Sequence, residues 1–182
     1  MSKKLLITLA MIIILGIKGY SVSNQARFFS QHHRQDIIFE NYTRSDNGSV
    51  GMAGLQFNTF FGDHYYYSLS VLEAVGGHNR AGYAVAGIGL GAMKTLATDL
   101  TLEASFVLGA GGGGHLKKGV GGGLSLKTQA GLYYRHGKEI GSFVTIGWID
   151  FPDGNLSSPI YTLGVSWYFT EYRRHIKGSV NE

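Results

Sequence analysis

Glu103 and Lys127 are the charged residues whose spacing most invites chemistry, because each sits on the polar face of a segment whose other face is apolar. If these segments form a hairpin about a loop centred near His115, Glu103 faces Lys127, Ser105 faces Ser125 and Thr101 faces Gln129. A carboxylate among hydroxyls could serve as a general acid or base, but no partner nucleophile stands at a fixed spacing. We expect a structural ion pair on the inward face of a protein wall. The seven histidines, His32, His33, His64, His78, His115, His136 and His175, fall almost entirely in predicted turns and tails. His32-His33 lacks a third ligand at a metal-binding spacing, and a chain without cysteine offers no thiolate, so no metal or cofactor is expected. The glycine cluster 109–119 lacks the Gly-Lys-Ser/Thr of a phosphate loop and reads as a hairpin loop. On that loop His115, Lys117 and Lys118 form a basic rim suited to lipid phosphates.

The elements that must position these groups alternate with a period of two. From Pro159 to Phe169, Tyr161, Leu163, Val165, Trp167 and Phe169 share one face, and Thr162, Gly164, Ser166 and Tyr168 share the other. A face so apolar suits lipid outside and a polar interior. Seven further segments repeat the pattern: 36–43, 50–60, 64–75, 82–93, 100–108, 120–135 and 140–151. Turn residues separate them, which predicts a meander of antiparallel strands. With both ends on one side, the connections near Asn47, His78, His115 and Asn155 share the far side. Aromatics near the strand ends, among them Tyr65, Tyr66, Tyr67, Tyr133, Tyr134, Trp148, Trp167, Tyr168 and Phe169, suit interfacial girdles. Of these, Tyr134, Trp148, Trp167 and Phe169 are the principal girdle candidates.

Composition agrees with that architecture. The 182 residues include 28 Gly but only 2 Pro, with 13% aromatics and a mean hydropathy of +0.02. Such a chain suits bent strands packed around rings rather than a disordered linker or a helical membrane protein. At the N-terminus, Lys3 and Lys4 precede the apolar run Leu5 to Ile17, and Ser21-Val22-Ser23 supplies a small-x-small cleavage pattern. Residues 1–23 therefore read as a secretory signal. Without Lys3, Lys4 and Lys18, Lys+Arg falls from 16 to 13 against 12 Asp+Glu, so clustered charge for nucleic acid is missing.

The segment from Val144 to Ser158, with its Asp153-Gly154-x-x-Ser157 turn and the strand that follows, resembles the end of the lipid A deacylase family of eight-stranded outer-membrane barrels. The resemblance spans roughly a fifth of the chain. That family carries a His-x-Ser pair on the penultimate strand and a carboxylate after the turn. Here the strand reads Gly147-Trp148-Ile149-Asp150, and Leu156 stands where the carboxylate would. The resemblance implies topology, and no catalytic residue carries over.

These readings define an all-β chain, a closed antiparallel up-and-down transmembrane β-barrel of about eight strands. Residues 24–170 form the barrel and 171–182 a polar tail. The expected place is the outer membrane of a Gram-negative envelope, with membrane lipids, lipopolysaccharide and the barrel-assembly machinery as partners. The expected role is non-enzymatic and structural, or one of envelope interaction. Its rivals are a lipid A-modifying hydrolase and a narrow channel for very small solutes.

Overall fold

The computed structural model describes residues 29–43, 49–76, 82–113, 122–154 and 156–173. Eight antiparallel strands, each paired with its neighbours in sequence, close into a barrel when the last pairs with the first. They are β1 (Phe29–Thr43), β2 (Ser49–Phe61), β3 (Tyr65–Gly76), β4 (Ala84–Ala97), β5 (Leu100–Gly112), β6 (Gly123–Arg135), β7 (Ile140–Phe151) and β8 (Leu156–Arg173). Closure leaves no unpaired edge for lipid to meet. The signal-like segment and the rim residues His115, Lys117 and Lys118 lie outside the described residues.

Short turns join β2 to β3, β4 to β5 and β6 to β7 at the end where β1 begins and β8 ends. Gly62 and Gly137 allow two of them, with φ of 66° and 108°, values that strain any residue bearing a Cβ. The connections near 47, 78, 115 and 155 all lie at the opposite end, as the sequence predicts. Stepping across the ladders from Tyr42 through Ile160, Gly147, Gln129, Ser105, Gly91 and Tyr66 leads to Phe60. Phe60 is one step beyond the Thr59–His33 pair, so the path regains β1 at His32, ten residues from its start. This stagger tilts the strands and brings residues distant along the chain together inside.

The faces sort by solvent. Leu69, Ile88, Ile146 and Leu163 point outward and are 53–64% exposed, whereas Asp36, Gln56, Lys127 and Ser166 point inward and are buried. An apolar exterior around the whole circumference belongs in hydrocarbon. Glycine makes room inside. A Cβ at Gly91 would strike the Tyr66 ring, and one at Gly164 would strike Phe143.

Several strand boundaries differ from the sequence reading: β4 runs on to Ala97 and β5 to Gly112, so Gly109 to Gly112 of the predicted hairpin loop are strand, paired with β4. β1 begins at Phe29, seven residues earlier than predicted; residues 30–35 are polar on both faces, so no apolar alternation marks this part of the strand. The strand is held instead by ladders to β2 and β8. β6 begins at Gly123 rather than Val120, and β8 continues through 171–173, into the predicted tail, paired with β1.

Candidate functional site

The interior divides along its length into three layers. Nearest the short turns, Arg34 on β1 reaches Glu103 on β5 through two bonds, Nη1–Oε1 at 2.5 Å and Nη2–Oε2 at 2.9 Å. Its Nε also lies 3.0 Å from Asp36 Oδ1. Asp36 accepts further bonds from Asn58 Nδ2 at 2.7 Å and Ser166 Oγ at 2.6 Å. Gln56 in turn donates to Asn58 Oδ1 at 2.8 Å. Four rings surround the guanidinium: Tyr133 at 4.1 Å from its carbon, Phe60 and Tyr66 at 5.5 Å and Tyr168 at 5.9 Å. A planar cation with five donors suits a site demanding carboxylates in its plane and rings above it.

Deeper inside, Lys127 Nζ donates to Glu40 Oε1 at 2.7 Å, and Tyr42 donates to Glu40 Oε2 at 3.0 Å. Beyond this pair, toward the long connections, the interior turns apolar. Tyr42, Met52, Leu72, Ile149, Phe151 and Ile160 are each at most 1% exposed and pack into one cluster. Side chains thus fill the barrel, and the far end is closed by hydrocarbon and rings. Among the described residues, buried oxygens of Gln56, Ser68, Ser105, Gln129, Thr145 and Thr162 find no protein hydrogen-bond partner.

Glu103 and Lys127 both face inward and both carry an ion pair, but they do not pair with each other. The register sets Glu103 opposite Gly131 and Lys127 opposite Val107. Ser105 lies opposite Gln129, and Ser125 opposite Gly109. The β5–β6 hairpin is centred on residue 117, two residues later than the sequence reading places it, so each inward residue meets a partner four positions away from the expected one. The true partners, Arg34 and Glu40, come from β1. Sequence reasoning missed them, although Arg34, Asp36, Ile38, Glu40 and Tyr42 alternate on one face in a segment too charged for lipid.

The aromatics divide likewise. Tyr134, Trp167 and Phe169 face outward near the short-turn end, at 40–50% exposure, and Trp148 lies toward the other end of the barrel. Tyr66, Tyr133 and Tyr168 instead face inward around Arg34. Near the β7–β8 turn, Trp148 Nε1 donates to Ser157 Oγ at 2.9 Å, and Ser157 lies opposite Asp150 in the ladder. An indole N–H leaves that hydroxyl an acceptor and supplies no base. His32 and His33 lie in strand β1 rather than in a tail, paired with β8, and their Nδ1 atoms each lie 3.0 Å from a threonine hydroxyl, Thr170 and Thr59 respectively. No cluster of potential metal ligands occurs among the described residues.

A closed eight-stranded antiparallel barrel, apolar outside and charge-paired within, is a transmembrane β-barrel of the outer-membrane type. No family model and no curated protein matches the chain. Among solved structures it is similar to the N-terminal β-barrel domain of OprF from Pseudomonas aeruginosa, with a TM-score of 0.58, 15% identity, and coverage of 76% of this chain and 97% of that one. A de novo designed transmembrane β-barrel matches with a TM-score of 0.51, 12% identity and coverage of 75% and 95%. The outer membrane enzyme PagL gives 0.47, 11% identity, and 74% and 98%. Identities this low show the fold alone, and the PagL likeness carries nothing about activity.

Proposed function

We propose that this chain is a non-enzymatic structural barrel of the outer membrane, closed to diffusing solutes. The carrying observation is the filled interior: two buried charge clusters, Arg34–Asp36–Glu103 and Lys127–Glu40, beneath an apolar seal. An interior so occupied stabilises a rigid wall and leaves no continuous path for a solute. In this reading Tyr134, Trp148, Trp167 and Phe169 anchor the wall at the headgroup levels, and His115, Lys117 and Lys118 in the β5–β6 connection meet lipopolysaccharide phosphates. The bond from Trp148 to Ser157 supports the non-enzymatic role, since the hydroxyl nearest the resembling turn is held by an indole rather than by a base. Mass spectra of lipid A from cells with and without the protein test this. The proposal expects identical acylation, and a protein-dependent loss of an acyl chain contradicts it.

A further inference from the structure

The end of the barrel where β1 begins and β8 ends holds a cavity of about 430 Å³, open to solvent and within the range of small-molecule sites. Its floor is the Arg34–Glu103 pair, whose cation is already shared with Asp36. The rim is different. Asp63 in the β2–β3 turn, Arg135 at the end of β6 and Lys138 in the β6–β7 turn also line the cavity, and all three are exposed. Among the described residues none of the three has an ion pair; Arg135 is oriented only by the Tyr168 ring, 5.1 Å from its guanidinium carbon. In a ring of eight strands, the β2–β3 and β6–β7 turns stand diametrically opposite. The cavity lining therefore carries a carboxylate on one side and two cations on the other, with Phe60 and Tyr168 also in the lining; Glu139, beside Lys138 in the same turn, lies outside it.

We infer that this mouth is a binding site for a short zwitterionic peptide, whose terminal ammonium and carboxylate stand far enough apart to face opposite poles. The ammonium faces Asp63, the carboxylate faces Arg135 and Lys138, and an apolar side chain lies on the aromatic wall. A forked guanidinium presents the donor geometry that a carboxylate takes in two bonds. The rings favour a ligand with an apolar body over an inorganic ion. This site is independent of the structural role proposed above.

The test uses the full chain in lipid nanodiscs and ¹⁹F NMR with three probes: the tripeptide glycyl-4-fluorophenylalanyl-glycine, its N-acetyl derivative and its C-terminal amide. The expected result is saturable line broadening that is strongest for the zwitterion. Asp63→Asn weakens the zwitterion about two- to fivefold, the range of an exposed ion pair, and leaves the N-acetyl probe unchanged. The double change Arg135→Gln with Lys138→Gln weakens both carboxylate-bearing probes and spares the amide. Lys94→Gln, on β4 outside the cavity lining, changes nothing. The inference is overturned if no probe saturates, if the N-acetyl probe binds as tightly as the zwitterion, or if Lys94→Gln acts as strongly as the rim changes. A gel-mobility check that each variant is folded separates lost binding from a lost barrel.

Discussion

The Arg34 cluster holds one cation against two carboxylates, and this imbalance predicts an asymmetry between its members. Arg34→Met strands Glu103, which loses both of its guanidinium bonds, and leaves Asp36 with only Asn58 and Ser166 as donors. Removing one partner of a buried pair costs about 3–5 kcal/mol, the penalty falling on the charge left behind. Glu103→Gln leaves one cation facing one carboxylate, so the remaining charges balance. Its cost is that of one charge-assisted hydrogen bond, about 1.5–3 kcal/mol. The double variant Arg34→Met with Glu103→Gln no longer strands the Glu103 charge, and is more stable than the sum of the single changes predicts. Urea titration in lipid vesicles, followed by the fluorescence of Trp148 and Trp167 and by heat-dependent gel mobility, measures all three. The reasoning is refuted if Glu103→Gln costs as much as Arg34→Met, or if the two changes add.

Lys127→Met leaves Glu40 with only the Tyr42 hydroxyl and should cost about 3–5 kcal/mol, whereas Lys127→Met with Glu40→Leu should recover much of it; urea midpoints decide. Gly91→Ala drives a methyl into the Tyr66 ring and should lose about 1–3 kcal/mol, a loss that shrinks in a Tyr66→Ala background when thermal midpoints are compared in detergent. Leu163→Arg, on the outward face of β8, should cost about 2–4 kcal/mol and lower the folded fraction in vesicles; an unchanged fraction would mean that this face does not meet lipid.

Much of the fold was legible in the sequence because lipid imposes a strict period of two. Tyr161 to Phe169 on β8 and Leu100 to Leu108 on β5 announce their faces without reference to any neighbour. Inward placement of Glu103 and Lys127 followed from the same parity. Their partners did not. Pairing depends on the hairpin centre, and the glycine-rich connection between β5 and β6 does not mark its midpoint. The Arg34–Glu103 contact also joins β1 to β5 through the stagger of the whole barrel, which no local pattern encodes. Tyr133 and Tyr134 show the limit at single residues. Both sit at a strand end, yet one faces Arg34 and the other the exterior, so nearness to a strand end alone does not separate a girdle from an interior ring, whereas the alternation along β6 does. The cavity at the mouth is assembled from turns and strand ends on opposite sides, and appears only once the ring is closed.

The central claim, a barrel whose charged and apolar layers fill its interior, is tested most directly by conductance. Purified full-length protein in planar lipid bilayers should show no discrete steps above the bare membrane at moderate voltage, because Tyr42, Met52, Phe151 and Ile160 close the path beyond the Lys127–Glu40 pair. Reproducible unitary steps that scale with electrolyte concentration would contradict the account and establish a continuous aqueous pore.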